Sequence, residues 1–184
     1  MGQKGEETRT RLLDAASRLL ESGGYFGAGL NQVIAESGAP RGSLYFHFPG
    51  GKDQLVSESV RRAGRDISAL ITGLEATSTA DLLSQLLAVL GDRLERSAWH
   101  QGCPVATVAL ELSATNDAVQ QVCSEAYQSW EAALRDQLLA DGHPDAEDLA
   151  TTVLALIEGG LLLARAHRSR QPLIRVSRTI KAIL

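Results

Sequence analysis

With 184 residues, 44% of them apolar and only 4% aromatic, the chain has material for a packed core and leans toward helix over sheet. Its net charge of −4 offers no general attraction to nucleic acid, and Cys103 and Cys123 lack the second pair or spaced histidines of a metal site, so neither a metal nor a cofactor is expected. The first residues do not read as a secretion signal, and Glu158 and Arg165 interrupt the longest apolar stretch, so a soluble cytoplasmic protein without a membrane partner is expected.

The apolar period is 3.6 nearly throughout, which predicts an all-α chain of about nine helices. Leu12, Leu13, Ala16, Leu19 and Leu20 make the stripe of the first helix, which Gly23 and Gly24 end. Two short helices follow, one with Leu30, Val33 and Ile34 inward and stopped by Gly38, the next opened by Pro40 and closed at residues 49–51. A long fourth helix runs from Lys52 to Leu74, and a fifth carries Leu83, Leu86, Leu87, Leu90 and Leu94. Gly102 and Pro104 punctuate before a sixth, and a seventh has Val119, Val122, Ala126, Trp130, Leu134 and Leu138 on one face. Asp145 is expected to cap the eighth, over 146–167, and Pro172 introduces the last.

Two helices of under ten residues joined by a glycine-containing turn are a poor way to build a core, because short helices persist only when packed. They suit a helix-turn-helix, in which the first helix braces and the second enters the major groove. Leu30, Val33, Ile34, Leu44 and Phe48 would anchor the pair, leaving Arg41, Gly42, Ser43, Tyr45 and His47 outward. A guanidinium grips guanine bidentately, Gly42 permits close backbone approach, and Ser43, Tyr45, His47 and Lys52 can donate to phosphates. Asn31 and Gln32 open the bracing helix, where free backbone N–H groups favour a phosphate. Residues 1–55 hold six basic and six acidic side chains, so any DNA role rests on local placement of charge.

The string GAPRGSLYFHFPGGKDQL, residues 38–55, resembles the signature of the tetracycline-repressor (TetR) family. The run Gly29-Leu30-Asn31-Gln32, the extra residue in Pro49-Gly50-Gly51-Lys52, and Gly102-Cys103-Pro104 further resemble its LmrA/YxaF-like branch. The resemblance implies base contacts near Arg41, Gly42 and Ser43, and phosphate contacts from Tyr45, His47 and Lys52. It implies a helix-turn-helix head over 1–51 and a ligand-binding and dimerisation body over 52–184. Pro40 and Leu30 depart from the pattern, standing where many members carry a hydroxyl residue.

No motif marks a ligand site in the body. Trp99, His100, Cys103, Val108, Glu111, Cys123, Tyr127, Trp130 and Glu158 are the pocket candidates, since large rings and isolated carboxylates on apolar helices suit recognition of apolar or aromatic molecules. The eighth helix is apolar on too many sides to be covered once. Leu154, Ile157, Gly160, Leu161 and Ala164 there, with Val176 and Ile180 of the last helix, are the expected face of a two-fold homodimer. The function that follows is a regulator, most simply a repressor, that binds palindromic double-stranded operator DNA as a dimer and is released by a small-molecule effector. A ligand-responsive activator, a helical adaptor without DNA binding, and an enzyme using Cys103 or His100 are the alternatives.

Overall fold

The computed structural model describes residues 2–184. Among these, nine helices and no strand are present: α1 (Gln3–Gly27), α2 (Leu30–Ser37), α3 (Arg41–His47), α4 (Gly51–Gly73), α5 (Thr79–Arg96), α6 (Pro104–Leu112), α7 (Asp117–Ala140), α8 (Ala146–His167) and α9 (Gln171–Ile183). Two compact units form. One takes the chain up to Ala63 together with Pro104–Ala126; the other takes Gly64–Cys103 and Tyr127–Leu184, so α4 and α7 each contribute to both.

In the first unit α1 packs on α2, α3 and α6. The predicted stripe of α1 is its buried face, with Leu12 and Leu20 fully covered, and Val33, Leu44 and Phe48 are covered completely as well. Arg9 pairs with Glu58, Arg62 lies 2.7 Å from Asp14, and so α1 is tied to α4 at two points. The double-glycine end predicted for α1 is a kink: Gly24 has φ +67° and ψ −166°, a region closed to side chains, and one further turn follows it. The kink frees the amide of Tyr25, which donates to the Glu111 carboxylate of α6 at 2.5 Å. A Cβ at position 24 would collide with that same carboxylate.

In the second unit α5, α8 and α9 pack on one another. Leu82, Leu83, Leu86, Leu87 and Leu94 of α5 meet a core that includes Val153, Ile157 and Ala164 of α8 and Leu173 and Ile180 of α9. Ser78 caps α5, its Oγ accepting from the Asp81 amide at 3.2 Å. Arg170 fastens α9 to α5 through Asp92 at 2.8 Å and the Ala88 carbonyl at 3.0 Å.

Two expectations are corrected. Asp145 makes no side-chain cap, because its backbone (φ −95°, ψ 34°) is not the extended form that turns a carboxylate back to the first amides. Nor do Glu158 and Arg165 break up α8 sufficiently: a stretch of 18 residues within it reaches mean hydropathy 1.6, long and apolar enough to cross a membrane. It packs against α5 and α9, and a third of that stretch is buried within the chain.

Because Gly24 meets both a backbone and a steric demand, Gly24→Ala is expected to lower stability by about 2 kcal/mol. The midpoint and slope of a urea unfolding curve check this; an unchanged midpoint contradicts it.

Candidate functional site

The turn between the two short helices begins at Gly38, whose left-handed backbone (φ 61°, ψ 17°) a glycine adopts without strain. Ser37 secures it: its Oγ donates to Ile34 and accepts from the Ala39 amide at 3.2 Å. Arg11 reaches the Ser37 carbonyl from α1 at 3.4 Å. Pro40 then sits at the N-cap of α3, one place before the expected first turn, and Leu44 and Phe48 pin the helix from behind. The Arg9 guanidinium lies 5.4 Å from the Phe48 ring centre.

What α3 leaves outward matches the expectation in part. Arg41, Gly42 and Tyr45 are exposed and Ser43 is half-covered, while Asn31 and Gln32 are exposed at the start of α2. His47 is half-buried, and its Nδ1 is covered without a hydrogen-bond partner. Lys52 is also half-buried. Its Nζ stands 4.1 Å from the Tyr25 ring centre, and burial pulls its pKa below the ordinary lysine value against the opposing pull of Asp53 and Glu111. Phe46, absent from the predicted reading face, is 72% exposed. Its position was legible: two residues beyond the buried Leu44, it lies about 200° round the helix.

The start of α4 is held by a small polar network. Tyr25 donates to Asp53 at 2.6 Å, and Asn116 donates to the other oxygen of the same carboxylate at 3.2 Å. The hydrogen bond to Asp53 is the main reason the Tyr25 phenol is pushed up to about 12, with burial and the negative charge of Asp53 adding to it.

Of the nine pocket candidates, Val108, Glu111 and Cys123 belong to the first unit and the other six to the second. Val108, Cys123 and Trp130 are packed core. Trp130 Nε1 is satisfied by the Gly64 carbonyl at 2.8 Å, and burial lifts the Cys123 thiol to about 11, leaving it an inert apolar group. Glu111 serves the α1 kink. In the second unit, Cys103 hydrogen-bonds Glu158, whose carboxyl is raised by burial against the smaller opposing effect of that bond. Tyr127 stacks edge-on against Trp130, 5.3 Å between ring centres. Trp99 and His100 line a cleft of about 450 Å³ together with Ala98, Leu162, Arg165, Ala166 and Arg168.

Most of the expected dimer face is likewise spent inside one subunit. Ile157, Gly160, Leu161, Ala164 and Ile180 are buried in the single chain, and a covered side chain has no surface left for a partner. Gly160 allows close approach of α9 of its own subunit, since a Cβ there would stand 3.1 Å from Val176. Leu154 and Val176 are half-covered. On α8 and α9 the exposed large apolar side chains are Leu162, Leu163, Ile174 and Ile183, between 43% and 65% exposed; Leu110 of α6 and Leu139 of α7 are exposed as well.

A three-helix head with a braced short helix offering arginine, glycine and aromatic side chains to solvent is a helix-turn-helix DNA-binding module. Residues 12–58 match the family described as bacterial regulatory proteins, tetR family, and residues 79–179 match the LmrA/YxaF-like C-terminal domain of transcriptional regulators. The transcriptional regulator LmrA of Bacillus subtilis is 38% identical over 182 residues, 97% of each chain, and YxaF of the same organism is 31% identical over 97% of this chain and 95% of its own. A TetR regulator from Legionella pneumophila superposes with a TM-score of 0.85 at 20% identity, covering 100% of this chain and 98% of that one. The chain belongs to the TetR family of DNA-binding transcriptional regulators, with a C-terminal domain of the LmrA/YxaF type; these proteins are not enzymes.

Tyr25 generates a pH prediction. Its pKa is raised in the folded protein, so its contribution is intact below pH 10 and is lost as pH rises from 10 toward 12. An absorbance titration of tyrosinate is expected to contain a step near pH 12 that Tyr25→Phe lacks. A wild-type titration complete near pH 10 contradicts the network.

Proposed function

We propose that this regulator is a cytoplasmic repressor: a homodimer whose two copies of α3 read the half-sites of a palindromic operator and which a small, largely apolar or aromatic effector releases. The observation that carries the dimer is the apolar face left open on α8 and α9, where Leu162 is 65% and Leu163 49% exposed. Monomers seldom leave such neighbours in water, and burying them on a two-fold axis covers both copies at once. A dimer then sets two reading helices one or more turns of duplex apart, and simple occupancy of the site blocks initiation.

In this reading Arg41, Gly42, Ser43 and Tyr45 contact base edges and nearby phosphates, with Asn31, Gln32, His47 and Lys52 on the backbone. Residues 1–51 serve DNA, and 52–184 serve the effector and self-association. Of the pocket candidates, Trp99, His100, Cys103, Tyr127, Trp130 and Glu158 lie in the second unit and would take part in effector recognition there. Release follows from linkage: an effector that binds better to the arrangement with displaced heads weakens DNA binding by the same factor.

Operator selection followed by fluorescence anisotropy tests the head. Arg41→Ala is expected to weaken binding by 1–3 kcal/mol, roughly ten- to a hundredfold, with the dimer intact, and affinity should fall steeply with salt. Full affinity in the variant sinks the assignment of α3. For the body, Leu163→Glu is expected to shift sedimentation from dimer to monomer and to abolish cooperative operator binding. A dimer that survives Leu163→Glu unchanged places the interface elsewhere.

A further inference from the structure

Phe46 leaves 72% of its surface in solvent, on a helix whose other exposed residues are Arg41, Gly42 and Tyr45. It does not serve the core. Leu44 and Phe48 anchor α3, and at about 100° per residue their shared side lies opposite Phe46. One turn earlier on the outward side stands Gly42. A Cβ built at position 42 would meet no atom within 4 Å among the described residues, so packing inside the subunit does not call for glycine there. Glycine also weakens a helix relative to alanine. The centre of the outward side is thus bare backbone next to an aromatic ring, and the His47 ring steadies that ring edge-on, 5.1 Å between centres.

A phenyl ring has no hydrogen bond to offer a base, and phosphates present it only charged oxygen. Among the base edges of the major groove one group is apolar, the C5 methyl of thymine. Ring and methyl both lose unfavourable contact with water when they meet. We propose that Phe46 reads a thymine, its ring packed on the C5 methyl, with Gly42 giving the base edge room to come close. The inference rests on the reading of α3 as the helix that faces the bases. It adds a preference that the polar groups of Arg41 and Ser43 do not supply, and on a palindromic operator the thymine recurs once in each half-site.

The test uses the full chain and a duplex that it selects from a random library. Replacing a thymine by deoxyuridine removes the methyl and keeps the hydrogen-bonding groups of the base. In fluorescence anisotropy, one such replacement per half-site is expected to cost about fourfold in affinity, and about fifteenfold when made in both, the worth of one buried methyl each. Phe46→Ala should bind the thymine duplex more weakly and be indifferent to the replacement, whereas Phe46→Leu should keep most of the discrimination. Comparing the two ratios isolates the ring–methyl pair. Because Phe46 is exposed, Phe46→Ala should melt with wild type, and low salt keeps the weakened complex measurable through its phosphate contacts. A wild type for which no uridine replacement matters, or a Phe46→Ala that still loses fourfold at the same thymine, overturns the proposal. Either result leaves the DNA-facing reading of α3 standing; failure to select any duplex removes both.

Discussion

A helix of seven residues does not hold together in water. Nucleating its first turn costs more than its few hydrogen bonds return, and α3 has only Arg41–His47 with no side-chain cap at its start. What fixes it is the burial of Leu44 and Phe48, each with no exposed surface, on one side of the helix. Complete burial of two such side chains is worth about 2–3 kcal/mol apiece. Everything said of DNA recognition depends on this, because a polar face presents a pattern to a duplex only if the apolar face behind it cannot rotate. Gly38 and the Ser37 hydroxyl set the angle at which α3 leaves α2, and the ion pairs of α1 with α4 hold the bracing surface.

The same logic of helix ends recurs elsewhere in the molecule. Gly24 interrupts α1, and the amide so released is met by a carboxylate from α6. In the second unit the ends of α5 and α8 reach positive φ at Ala98, Trp99 and Arg168, without glycine.

Helix number, the short pair and the outward side of α3 were legible because each rests on a period or on punctuation: Leu44 and Phe48 recur at one helical turn, and Gly38 breaks the run. Signals that depend on which face meets which neighbour were not. Glu111 read as a ligand group because a carboxylate stands out on an apolar helix; its partner is a backbone amide 86 residues earlier, exposed only by the Gly24 kink. Ile157, Leu161 and Ala164 read as interface because α8 is apolar all round, and periodicity cannot say which side its own subunit takes. Phe46 was within reach of simple helical arithmetic.

The central claim is that the outward side of α3 faces the bases. Incorporation of the photo-crosslinking residue benzoyl-phenylalanine at Phe46, whose exposure leaves room for it, followed by irradiation on a selected operator, tests this most directly. The account predicts cross-links at two symmetry-related positions, one in each half-site. Retained operator binding with no cross-link from position 46 would contradict it.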